Sequence, residues 1–130
     1  MSNAVLGYAQ EGPSDGIGPF SEVFDSGLDL RFANNLDGID AIVLWGGADI
    51  SPVLYDETPF WNSGPREPTD RDLFEWELMR QAKKKGIPII GVCRGAQIMC
   101  AFAGGKLVQH TTQHTNTVHK ITTHDGSNLR

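Results

Sequence analysis

The sequence predicts an α/β fold, an open and mostly parallel sheet flanked by helices. Three observations carry that expectation. Strand-like apolar runs alternate with helical stretches, the chain order of a parallel sheet with crossover helices. Ala41-Ile42-Val43-Leu44-Trp45 is apolar throughout, as a central strand buried on both faces must be. The chain then passes from Ile87–Val92 to Ala96–Ala103 through a tight turn at Cys93, between Gly91 and Gly95.

The elements follow in order. Ala4 to Tyr8 forms the first strand, and Gln10 to Gly18 a polar, glycine-rich loop. Phe20, Val23 and Phe24 have helical spacing, which predicts a short helix ending near Gly27. Leu28, Leu30 and Phe32 alternate with Asp29 and Arg31, the pattern of a half-buried edge strand. Asn34 to Asp40 is a loop, and the central strand after it ends at Gly46-Gly47. Asp49 to Pro68 is irregular, broken by Pro52, Pro59, Gly64, Pro65 and Pro68. A loop of that length inside a compact domain is more often functional than idle. Thr69 caps the next helix, with Asp70 and Asp72 in its first turn, and Gly86 stops it after Lys85. The strand Ile87–Val92, the helix after Cys93, and Gly104-Gly105 follow. Leu107-Val108 begins a further strand, while Gln109 to Arg130 has no clear period. Residues 1–130 read as one domain, without internal repeat or dividing linker.

Composition narrows the function. A chain of 130 residues with 39% hydrophobic and 21% charged residues can bury a core and is not a disordered segment. A net charge of −5 argues against a nucleic-acid surface. The basic run Lys83-Lys84-Lys85 reads as a solvated helix terminus. No apolar stretch is long enough to span a bilayer, and the N-terminus lacks the pattern of a signal peptide. Cys93 and Cys100 are spaced to lie along one helix rather than to bridge, so a reducing cytoplasm is the expected compartment.

A residue held between two glycines at a strand-to-helix junction reads as a nucleophile elbow. Helix N-termini favour thiolate over thiol, and thiolate is the attacking form. The alternative is a buried structural cysteine beside a tight turn. In open parallel sheets, sites form beyond the carboxyl ends of the strands. Gly46-Gly47 and Cys93 both follow predicted strands, so they can meet on one edge.

Glu75 stands out on the helix after Thr69. With Leu73 at zero and about 100° per residue, Phe74, Leu78, Ala82 and Met79 fall at about 100° to 240° and Glu75 at about 200°. A carboxylate inside an apolar arc must be paired or hydrogen-bonded. Two roles are open to it: a buried brace that orders the loop near Cys93, or a direct catalytic carboxylate.

Trp45-Gly46-Gly47-Ala48-Asp49-Ile50-Ser51-Pro52-Val53-Leu54-Tyr55, Arg71-Asp72-Leu73-Phe74-Glu75, Gly91-Val92-Cys93-Arg94-Gly95-Ala96-Gln97 and Gly104-Gly105 occur in that order. Together they resemble the class I glutamine amidotransferase-like superfamily. The Gly-Gly-x-Asp-x-x-Pro-x-x-Tyr and Cys-Arg-Gly-x-Gln runs point to its γ-glutamyl hydrolase branch, the γ-glutamyl-γ-aminobutyrate hydrolase-like peptidase C26 group. The resemblance is good over residues 38 to 110 and poor at both ends.

This resemblance implies a three-layer, flavodoxin-like fold and a set of roles. Cys93 would attack a γ-glutamyl carbonyl and form a thioester. Gly47 and Arg94 would donate backbone N–H groups to the oxyanion, where each such donor is worth roughly 3 to 4 kcal/mol. Gly46 would let the loop approach substrate, and Gln97 would help hold the glutamyl moiety, unless it is only an exposed helix residue. Asp49 and Tyr55 would orient the loop or border the pocket, with a capping role equally open to Asp49. Arg66 and Arg71 offer either surface ion pairs or a bidentate grip on an α-carboxylate.

The mechanism also needs a base. The family's downstream His and Glu motif has no match here. His110, His114, His119 and His124 are present, but none has the family's acidic neighbour at the right spacing. The chain is therefore expected to be a piece of a longer protein truncated at its C-terminus, or else naturally short and without hydrolytic power, in which case another chain, such as a second copy, covers its open sheet edge. His110 and His114 are four apart, yet Thr111, Thr112, Thr115 and Thr117 disfavour a helix there, so no metal site is expected. The expected activity is thiol-dependent hydrolysis of a γ-glutamyl amide bond, without a cofactor. The rivals are a glutaminase domain that feeds ammonia to a synthetase partner, and a non-catalytic binding module on the same scaffold.

Overall fold

The computed structural model describes residues 3–9, 16–59, 64–109, 121–122 and 128–129. Four strands, β1 (Val5–Tyr8), β2 (Ser26–Asp29), β3 (Ala41–Leu44) and β4 (Ile89–Gly91), form one all-parallel sheet in the order β2-β1-β3-β4. Two α-helices follow β3 and β4: α1 (Asp70–Lys85) and α2 (Arg94–Phe102). A short antiparallel pair, β5 (Ile121–Thr122) and β6 (Asn128–Leu129), stands apart from the main sheet. The strand order is that of a flavodoxin-like α/β fold, as expected.

The apolar run of β3 explains why it is central. All four of its residues are buried, and they alternate between two cores. Ile42 and Leu44 face Leu78, Met79 and Ala82 of α1 and Ile98 and Ala101 of α2. Ala41, Val43 and Trp45 join Leu6 and Ile17 on the opposite side, packed by Phe20 and Phe24. Both described α-helices therefore cover one face. The other face is covered in part by a 3-10 turn at Gly18–Glu22, where Trp45 Nε1 also donates to the Gly16 carbonyl at 2.8 Å.

Three local expectations are corrected. The short helix around Phe20 is that 3-10 turn, begun by Pro19, and Val23 is 71% exposed. The edge strand starts earlier and ends at Asp29 rather than running through Phe32. The Asp29 carboxylate accepts the Arg31 N–H at 3.0 Å and bends the chain into a second 3-10 turn, Leu30–Phe32. That bend tucks Leu30 against Gly7, where a Cβ would lie 2.8 Å from Leu30 Cδ1. Leu107-Val108 forms no strand: Leu107 packs on the core and Val108 is exposed.

Helix α1 begins and ends where the sequence places it. Thr69 Oγ1 accepts the Asp72 N–H at 3.1 Å, and Asp72 Oδ2 accepts the Thr69 N–H at 3.0 Å, a reciprocal capping box. Gly86 closes the helix at φ +74°, a left-handed conformation that suits glycine. Thr69→Ala should lower stability by about 1 kcal/mol in urea denaturation. A loss below roughly 0.3 kcal/mol would show that the cap is not holding the helix start. No helix among the described residues is long and apolar enough to cross a membrane.

The consequence for function lies at one edge. β3 and β4 are parallel neighbours with Leu44 opposite Gly91, so the chain leaves both strands side by side.

Candidate active site

Cys93 sits at the turn between β4 and α2 with φ +52° and ψ −108°. Positive φ is strained for a residue with a Cβ, and such strain clusters at functional sites. The turn is forced by close packing on both sides. A Cβ on Gly91 would lie 2.6 Å from Ala96 N. One on Gly95 would collide with the Leu44 carbonyl oxygen and lie 2.7 Å from its carbon. Val92 N–H donates to Leu44 O at 2.9 Å, and Gly95 N–H to Val92 O at 2.9 Å, which ties the elbow to β3. The thiol side chain is exposed. Cys100 is also exposed, two turns further along α2, and the two cysteines are unbridged.

Gly46 and Gly47 meet this elbow, as their strand-end positions predict. A Cβ on Gly46 would lie 3.7 Å from Cys93 Cβ. Gly47 has φ +152° and packs against the Arg71 guanidinium and Arg94 Cδ. The Arg94 N–H belongs to the first turn of α2, where backbone donors have no intrahelical acceptor.

Behind the two glycines lies a network of four charged side chains. Glu75 is fully buried, and its two oxygens accept from different arginines, Arg71 Nε at 2.6 Å and Arg94 Nη1 at 2.8 Å. Arg94 Nη2 pairs with Asp72 Oδ1. Asp72 Oδ2 accepts the N–H groups of Ser51 at 3.2 Å and Thr69 at 3.0 Å. Arg71 Nη2 donates to the carbonyls of Trp45 and Gly46, each at 2.9 Å. Two acids and two bases cancel in charge, and each carboxylate is hydrogen-bonded at both oxygens, so burial is tolerated. The network ties the start of α1, the loop after β3 and the start of α2 into one unit.

Part of this was readable. The helical wheel places Glu75 inside and demands a partner for it. The Arg94 side chain as that partner, and Asp72 as more than a first-turn acid, were missed. Arg71 forms an ion pair as expected, but its side chain is only 23% exposed and it also grips backbone carbonyls.

The remaining candidates are scattered. Gln97 is exposed on α2, and Asp49 is exposed in the loop. Ser51 rather than Asp49 caps the 3-10 turn Pro52–Tyr55, accepting the Val53 N–H at 3.3 Å. Tyr55 is buried; burial pushes its phenol pKa up, with the nearby Glu57 and Asp49 charges adding to the rise. Arg66 lines an open cleft of about 400 Å³ with Val53, Asp56, Glu57, Thr58, Pro59 and Glu67, which does not include Cys93. His110, His114, His119 and His124 lie outside the described residues. Among the described residues no group of three or more His, Cys, Asp or Glu side chains could hold a metal ion.

Known proteins are similar to this chain in sequence. The glutamine amidotransferase-like protein YvdE of Lactococcus lactis is 42% identical over 85 residues, 65% of this chain and 36% of that protein. Protein NtpR of Enterococcus hirae is 43% identical over 79 residues, 61% of this chain and 33% of that protein. The carbamoyl phosphate synthase small chain of Maricaulis maris is 28% identical over 123 residues, 92% of this chain and 31% of that protein. The chain thus spans about a third of the length of these relatives. The pattern of the Peptidase C26 family matches residues 27–129, most of the sequence and all of the elbow, loop and ion network. The chain belongs to the Peptidase C26 family, within the class I glutamine amidotransferase-like group.

Proposed function

We propose that this domain is a thiol-dependent hydrolase of γ-glutamyl amide bonds. The observation that carries the reading is the strained, exposed Cys93 held against Gly46. Cys93 Sγ attacks the γ-carbonyl carbon, and the carbonyl oxygen takes the negative charge between the N–H groups of Gly47 and Arg94. The C–N bond breaks, and the amine leaves with a proton. Water then adds to the thioester, the C–S bond breaks, and glutamate and free thiol are released. Gly46 and Gln97 border the glutamyl group, while Glu75 and Asp49 support the loop. The base that moves protons between Cys93, amine and water lies outside the described residues or is supplied by further sequence. Likeness to a carbamoyl phosphate synthase small chain favours a second reading, a glutaminase that hands ammonia to a synthetase.

A chloromethyl ketone analogue of glutamine tests the reading at pH 6, where an ordinary thiol is almost wholly protonated. The expected result, by peptide mass spectrometry, is a thioether at Cys93 with chloride lost and Cys100 spared. Cys93→Ser should abolish it with the helical signal intact. Protection by γ-glutamyl-γ-aminobutyrate would support the hydrolase, and stronger protection by glutamine the glutaminase. A folded chain labelled equally at both cysteines, or at neither, would sink both readings.

A further inference from the structure

Arg71 joins the buried network through Nε and grips the protein's own backbone through Nη2. We infer that Arg71 is a positioning residue that fixes the orientation of the Gly46–Gly47 peptide and thereby aims the Gly47 N–H at the space above Cys93. The inference deepens the hydrolase reading and rests on it for its catalytic consequence.

The argument starts from the peptide group. No cis peptide bond occurs here, and in a trans peptide the C=O and N–H point in opposite directions. Arg71 Nη2 holds the carbonyls of Trp45 and Gly46, both at 2.9 Å. Two successive oxygens are therefore drawn toward α1, and the N–H groups of the same two peptides, on Gly46 and Gly47, are turned the other way. A Cβ on Gly46 would lie 3.7 Å from Cys93 Cβ, so these peptides lie against the elbow, and on this inference the Gly47 N–H points toward the thiol.

A lock is needed because of the residues it acts on. A peptide between two glycines meets little steric resistance to flipping, and Gly47 already occupies φ +152°. A flipped plane would present a carbonyl oxygen where a donor is required. Repulsion would replace attraction at the point where negative charge develops. Arg71 is itself oriented, since Glu75 Oε2 accepts from its Nε at 2.6 Å. The other Glu75 oxygen holds the side chain of Arg94, the residue that offers the second oxyanion donor. One carboxylate thus sets both donors relative to each other. Lysine cannot replace this arrangement, because it lacks the planar fork that reaches a carboxylate and two carbonyls together.

The test compares the parent chain with Arg71→Lys, which keeps the charge beside Glu75, and Arg71→Ala, with and without added guanidinium ion. Backbone amide relaxation at Gly47 is read by NMR. Capture of Cys93 is timed with the chloromethyl ketone, whose carbonyl draws on the oxyanion donors, and with iodoacetamide, which has no such need. We expect millisecond exchange at Gly47 in both variants. Chloromethyl ketone capture should slow by roughly tenfold to a hundredfold, with iodoacetamide capture changed less than about twofold, and guanidinium should restore part of the loss in Arg71→Ala. An unchanged Gly47 amide overturns the inference, as does equal slowing with both reagents. If Gly47 becomes mobile in the variants but even the parent resists the chloromethyl ketone, the lock stands and the hydrolase reading fails.

Discussion

Glu75→Gln lowers the stability of the fold by about 3 to 5 kcal/mol, the usual cost of breaking a buried ion pair from one side. The native network is neutral: Arg71 and Arg94 against Asp72 and Glu75. The substitution is nearly isosteric, so almost no packing is lost. What remains is a net positive charge among groups that are 3% exposed at Arg94 and 0% at Asp72. The amide also offers one acceptor where the carboxylate offered two, so one guanidinium N–H loses its acceptor. Urea denaturation is the measurement, with a midpoint shift of roughly 2 M for an ordinary slope of about 2 kcal/mol per M. A second cycle makes the result specific. Adding Arg71→Gln should cost far less in the Glu75→Gln background than in the parent, because the arginine has already lost its counter-charge. Additive costs, or a single-variant loss under about 1 kcal/mol, would mean that solvent reaches this network and screens it.

Gly95→Ala is the second large effect, and its cause is steric. The new Cβ would collide with the carbonyl of Leu44, a backbone atom in the central strand with no rotamer to move into. Either β3 or the start of α2 must shift, at roughly 3 kcal/mol. The shift falls on the geometry between Cys93 and Gly46, so labelling of Cys93 by the chloromethyl ketone should fall by more than about tenfold. Gly104→Ala is the control. Gly104 is at positive φ, +89°, unlike the helical Gly95, and nothing lies within 4 Å of its would-be Cβ. It should lose only about 1 kcal/mol and leave labelling alone. Equal effects at the two positions would show that contact with Leu44 does not make glycine necessary at 95.

The contrast between these sites explains what the sequence made legible. Local chemistry was readable. Thr69, Asp72 and Gly86 mark the ends of α1 because capping depends on near neighbours. Ala41–Trp45 declares a buried strand because no polar side chain interrupts it. Glu75 betrays its burial through helical periodicity alone. The edge strand misled because Leu28, Leu30 and Phe32 keep a period of two across a bend. Only the Asp29–Arg31 hydrogen bond and the space left by Gly7 decide that Leu30 turns inward while Phe32 stays 83% exposed. The site divided in the same way. The strand-end positions of Cys93 and Gly46-Gly47 follow from the order of elements. The grip of Arg71 on the carbonyls of residues 45 and 46 spans 26 and 25 positions, and no periodicity encodes it.

The four-charge network also bears on how this sequence can change over generations. Asp72, Glu75, Arg71 and Arg94 form one heritable character rather than four. Replacing any one of them leaves a buried charge without its match, so a lineage that alters the set must cross an unstable intermediate or change two codons nearly together. Arg94 adjoins the thiol and Arg71 holds the glycine loop. The surroundings of Cys93 are therefore bound by the packing and charge constraints of a protein interior, although the thiol itself faces solvent.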